Sequence, residues 1–194
     1  MIAIRALPLG LGVAAIAGAY LLPWRAWLGF FPEHMVQHMT LVAIAAPLLV
    51  LGAAPRGRAP GIMLAAVLEA VVVWGWHLPA AHGLACLGGP WKLLEQATFL
   101  GAGLLVWWSA LSAEEPLTGA LGLLLTSMHM TLLGALLTLA PQPLYAETCA
   151  LCGALDGQRL GGLLMLGIGT PIYLLGGLWL TARALGPDPA EGAA

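Results

Sequence analysis

HMVQHMTLVAIAAPLLVLGA, residues 34–53, carries no Asp, Glu, Lys or Arg. A helix needs about 20 apolar residues to cross a hydrocarbon core of roughly 30 Å, and this stretch meets that length. It therefore reads as a transmembrane helix. Its first turns are unusual, because His34 and His38 alternate with Met35 and Met39 before the purely aliphatic run begins.

Five further stretches of the same kind flank it, at about 3–22, 61–77, 91–112, 117–140 and 160–182. Short breaks rich in Pro, Gly and charge separate them, such as APRGRAP and AEEP. The whole chain of 194 residues is 60% hydrophobic and only 8% charged, with a mean hydropathy of +0.92, far from the soluble balance of about a quarter charged. Backbone groups facing lipid must be paired within their own segment, so an open bundle must be helical. The expected fold is all-α, a polytopic bundle of about six transmembrane helices forming one domain over 1–182, with a short polar tail at 183–194. Pro47 and Pro171 are expected to bend their helices. The first stretch also has features of a secretory signal, Arg5 and the small residues Ala17 to Ala19. Its apolar run continues to a boundary of Trp24, Arg25 and Trp27, as a retained helix would. A net charge of −2 offers no basic patch for a nucleic acid.

Six spans put both termini on one side. That side holds Arg5, Arg56, Arg58 and Arg183, against Arg25, Lys92 and Arg159 on the other, which predicts cytoplasmic termini. On this map His34, His38, His77 and His82 fall at the outer end, and His129 lies near the middle of the fifth helix. Glu95 and Gln96 lie one turn into the fourth helix from the outer side, and Cys86, Cys149 and Cys152 occupy outer loops.

Residues four apart share a helix face, so His34 and His38 can bind one ion together, with Met35 and Met39 forming a second stripe. His129 sits in SMHM between Met128 and Met130, of which one at most can join it. Uncharged imidazole and thioether donors suit Cu(I) and avoid burying charge in lipid. The plainer readings are an interfacial histidine and a core-filling methionine. Glu69, in mid-span, should be protonated or hydrogen-bonded within the bundle, a proton relay being the other reading. Cys149 and Cys152 form CALC; in an oxidising compartment a loop CxxC most often forms a local disulfide, with Cu(I) binding and thiol exchange as other readings. Cys86 is then left over on the same face. No GxSxG elbow, HExxH helix or phosphate-binding glycine loop is present.

HMVQHM, WHLP at 76–79, LEQATFLGAGLLVWW from Leu94, LLGALLTLAPQPLYA from Leu132 and DGQRLGGLLML from Asp156 occur in order. With these motifs the sequence resembles, over about residues 30–182, the CtaG-type cytochrome c oxidase assembly proteins of bacteria. The resemblance implies a multi-pass protein of the bacterial cytoplasmic (inner) membrane that serves haem-copper oxidases and helps deliver copper to them, with no turnover chemistry of its own. The family's histidine motifs fall on His34, Met35, His38 and Met39, on Trp76, His77 and Pro79, and on His129; its last motif falls on Asp156, Gln158, Gly161 or Gly162, and Met165. Gln96, Arg159 and Leu166 depart from the pattern.

The expected site is thus a Cu(I) centre of His34, His38, His77 and His129, supported by Met35, Met39 or Met128. Expected partners are a cytochrome c oxidase subunit, a periplasmic copper donor and the lipid bilayer. The rival readings are a b-type haem protein using His38 with His129, a copper permease resembling the copper resistance protein D family with Glu69 and Met63 on its path, and a metal-free assembly scaffold.

Overall fold

Each of the six apolar stretches folds as a helix because its own apolar side chains leave backbone pairing as the only outlet for N–H and C=O groups. The computed structural model describes residues 2–186. Helix α1 spans Ile2–Leu21, the short α2 Trp24–Leu28 and α3 Phe30–Met39. A π-helical turn over Thr40–Ala45 carries α3 without interruption into α4, Ala46–Ala53. Then follow α5 (Ile62–His77), α6 (Pro79–Cys86), α7 (Gly89–Leu111) and α8 (Pro116–Leu139). A second π turn, Met165–Gly169, joins α9 (Leu155–Leu164) to α10 (Thr170–Ala184). The expected tail lies mostly outside the described residues; Arg183 and Ala184 still belong to α10.

The number of crossings is less plain than the sequence pattern. Phe30–Ala53, Pro116–Leu139 and Leu155–Ala184 are long and apolar enough to cross a bilayer, and α5 with α6, bent by 72° between them, makes a fourth if counted as one span. Two expected spans fall short of that set. Among the described residues α1 contributes only Arg5–Leu21 to that count, and the first turns of α7 carry Lys92, Glu95 and Gln96.

The two prolines do not break their helices. Each follows a π turn, whose wider ring makes room for the proline. Ala46 N–H reaches back to Leu41 O, but Pro47 has no N–H for the next carbonyl, that of Val42. That orphan is satisfied by other helices: Trp107 Nε1 donates to Val42 O at 3.0 Å and the Tyr173 hydroxyl lies 3.1 Å from it. Helix α7 can come this close because residue 103 is glycine; a Cβ there would sit 2.8 Å from Val42 Cα.

Glu69 completes this knot. Its Oε1 lies 2.6 Å from the Tyr173 hydroxyl. The hydroxyl has one proton to offer and two acceptors within reach, Glu69 Oε1 at the shorter distance and Val42 O, which Trp107 already serves. The structural reading of Glu69 is the one its surroundings support.

Helix α3 packs on α9, α5 on α7 and α8, and α8 on α10. The core runs the length of the bundle through Phe31, Met35, Phe99, Leu123, Met165 and Tyr173. The start of α3, the end of α5, α6, the start of α7 and the loop 140–154 meet at one end of it.

Candidate metal centre

That end gathers four imidazoles. His34 and His38, one turn apart on α3, stand with ring centroids 6.3 Å apart. His77, the last residue of α5, is 5.7 Å from His34 and 5.2 Å from His38. His82, on α6, is 4.9 Å from His34. All four are buried. Two imidazoles on one ion, with metal–nitrogen distances of about 2.0 Å, have centroids roughly 5–6 Å apart. The pairs of His77 with His34 and with His38 match that spacing, while His34–His38 is wider and His34–His82 slightly closer.

The hydrogen bonding leaves ligand positions open. His77 Nδ1 lies 2.7 Å from Val73 O; a carbonyl only accepts, so this nitrogen carries the proton and Nε2 keeps its lone pair. His77 Nε2, His34 Nε2, both nitrogens of His38 and His82 Nδ1 are buried without a hydrogen-bond partner. Phe99 stacks on His38 at 4.0 Å and Phe31 lies beside His34 and His82, so water is largely excluded.

Helix α7 supplies charge. Lys92 Nζ donates to Glu95 Oε2 at 2.9 Å and lies 3.1 Å from His34 Nδ1. Gln96 Nε2 donates to the same carboxylate oxygen at 2.8 Å and is itself held by Tyr20 at 2.6 Å. Glu95 is fully buried while the Lys92 side chain is 30% exposed. The ammonium therefore caps a buried anion and an imidazole, and can swing away. His34, His82 and Glu95 each offer a ligand atom within 4.8 Å of the others.

The loop before α9 closes the site. The Tyr145 hydroxyl donates to His77 O at 2.9 Å, its ring stacks on Phe31, and it lies 4.5 Å from His82. Burial raises the Tyr145 phenol above its ordinary range, so it remains a donor. Gln158 anchors the loop: Leu144 N–H donates to its Oε1 at 2.7 Å, and its Nε2 donates to Leu137 O at 3.1 Å.

Of the expected ligands, the structure brings His34, His38 and His77 together. It leaves His129 half-buried on α8, its ring nitrogens unpaired and its ring outside the contacts those three make among the described residues. Met35 and Met39 are fully buried and pack toward α9 and the second π turn, where Gly161 and Gly169 admit them. Met128 must be corrected: it is 68% exposed, on the outer surface of α8, because residues adjacent on a helix point about 100° apart and His129 faces the other way. His82, Glu95 and Tyr145 also stand at this cluster, and sequence reasoning did not place them there. One signal was available, since His82 and Cys86 are four apart and so share a face.

The family model described as cytochrome c oxidase caa3 assembly factor matches residues 58–186. The chain belongs to this family. His77, His82, Lys92, Glu95, His129 and all three cysteines lie within the match, while His34 and His38 precede it. No curated protein and no solved structure matches the chain.

Proposed function

We propose that the chain handles copper during assembly of a haem-copper cytochrome c oxidase, holding Cu(I) among His34, His38, His77 and His82 and passing it to an oxidase subunit. Family membership supports the assembly role. One observation carries the copper: five buried ring nitrogens in one cluster have no partner. Each unpaired buried polar group costs about 1–3 kcal/mol, so a group of them is a place kept for a ligand. Neutral imidazoles fit a soft monovalent ion, and the buried Glu95 carboxylate offsets its charge.

Copper is cargo here, and the chain makes and breaks only metal–ligand bonds, so no enzyme activity belongs to this reading. Entry of the ion requires Lys92 to leave His34 Nδ1, and its partial exposure allows that. We place the bundle in the bacterial cytoplasmic membrane with six crossings, cytoplasmic termini and the histidine end outward, where a periplasmic donor can reach it.

The rival readings meet obstacles. A haem on His38 would need open space for its macrocycle at the edge of that ring, where His34 and His77 already stand. A permeation path through Glu69 and Met63 is opposed by the Tyr173–Val42 lock and by Met63, which is exposed on the outer surface. Metal analysis of protein purified in detergent tests the proposal. The wild type should retain copper, His38→Ala should hold less, and a variant lacking His34, His38, His77 and His82 should hold none at this cluster. Equal copper in wild type and His38→Ala would count against it, and a metal-free wild type that still supports oxidase assembly would leave only a scaffold.

A further inference from the structure

Next to the imidazoles lies a second group that the site above does not use. Cys86, at the end of α6, and Cys149 and Cys152, in the loop before α9, bring their sulfurs together beside His82. One ligand atom from each of His82, Cys86, Cys149 and Cys152 lies within 4.8 Å of every other. Cys152 Sγ is 3.4 Å from His82 Nε2 and 3.5 Å from Cys86 Sγ. Cys149 Sγ touches both Cys86 Sγ and Cys152 Sγ. A sulfur forms one disulfide at most, so these two contacts cannot both be covalent, and either pairing leaves a third sulfur without a partner.

We infer that His82, Cys86, Cys149 and Cys152 form a thiolate-rich site for a soft d10 ion, where Cu(I) first lands before passing to the imidazole cluster. This rests on the copper-handling reading for the identity of the ion. Three thiolates and an imidazole are a complete four-donor set of the kind that Zn(II) and Cu(I) take. The backbone is shaped to assemble it. Gly83 lets the loop lie against α6, since a Cβ there would meet Thr148 O at 2.8 Å. Cys149 N–H bonds to Tyr145 O and Cys152 N–H to Cys149 O, both at 2.9 Å, which folds the CxxC segment back onto the helix.

His82 belongs to both groups, facing Cys152 with Nε2 and standing 4.9 Å from His34. A cavity of about 320 Å³ borders His34 and Cys86 together, with Arg25, Glu33 and Lys92 in its wall. It gives a carrier access to both groups, and the two cations offset the negative charge of thiolate ligands. On binding, the thiols release their protons to water and copper stays Cu(I). In transfer, copper–sulfur bonds are exchanged for copper–nitrogen bonds through His82, the freed thiolates take protons back from water, and no electron is moved.

The test uses the full chain purified anaerobically in detergent and loaded with Cu(I) alone or Zn(II) alone. X-ray absorption at the copper edge should show sulfur as well as nitrogen neighbours. Cys149→Ser should remove the sulfur signal and about one copper per chain while keeping the nitrogen-bound copper. His34→Ala with His38→Ala should do the reverse. Copper with nitrogen neighbours only, unchanged in Cys149→Ser, overturns this inference and leaves the proposed function standing. Zinc bound through the cysteines with no copper at all keeps the thiolate site and removes the copper reading. A count that needs no variant guards against misfolding: protein denatured with a chelator but no reductant should alkylate at all three cysteines, and alkylation at one alone would mean a disulfide and overturn the proposal.

Discussion

Lys92 is the residue whose removal separates a copper site from a plain buried ion pair. It holds the cationic position beside His34 Nδ1 and Glu95 that the proposed ion would share. With Lys92→Ala the carboxylate keeps only Gln96 as a partner and the imidazole is uncapped, so Cu(I) should bind about tenfold more tightly, roughly 1.4 kcal/mol in free energy. Competition with a Cu(I) chelator measures this, and weaker binding would show that Lys92 helps hold the site together. Tyr173 plays a different part, since its hydroxyl links Glu69 to the carbonyl that Pro47 leaves free. Tyr173→Phe should cost about 1–3 kcal/mol by leaving buried polar groups unpaired, seen as a lower melting temperature in detergent, with copper content unchanged. The pair Met128 and Met130 shows how much a single sequence can say of such residues. One is 68% exposed and the other fully buried, yet both are methionines beside the same histidine in an apolar run. Composition does not tell them apart, because the difference lies only in which neighbour each meets.

Among the elements, α6 shows best what local pattern leaves open. Its eight residues read as loop, with Pro79 marking a break after His77. The proline instead starts a new helix, a position that suits its fixed φ and missing N–H. The turn between α5 and α6 swings His82 back toward His34. Gly83→Val should push the loop 145–152 off α6 because the new side chain meets backbone. Binding at the cysteines should then fall at least tenfold, while His34, His38 and His77 keep their copper; equal loss at both would show that the two groups are one unit. The π turns were legible in part. A proline inside an apolar run announces a local disturbance, but whether it becomes a kink or a widened turn depends on whether another helix can satisfy the freed carbonyl. Trp107 and Tyr173 do so for Val42.

Across the whole molecule, the four histidines of the cluster, the cysteines, Lys92 and Glu95 share one end of the bundle, and Arg56, Arg58 and Arg183 lie toward the other. If the histidine end faces outward, a membrane-impermeant maleimide should label Cys86 or its loop partners in intact spheroplasts, and a cysteine introduced at Gly57 only in inverted vesicles. The opposite pattern would reverse the proposed topology and deprive a periplasmic donor of access. The amino-acid sequence by itself determined the helical class, the approximate bounds of the apolar stretches and the end of the bundle at which the metal-binding residue types collect. These follow from hydrophobic length and from helical periodicity, which are properties of neighbours in the chain. Only the tertiary structure decided that His82 and Glu95 join His34, that Met128 faces outward while His129 makes no ring contact with His34, His38 or His77 among the described residues, and that Cys86 meets the CxxC loop. Those are contacts between helices, set by which small residues let two backbones approach and which side chains fill the space between them, and no pattern along one segment specifies its partner on another.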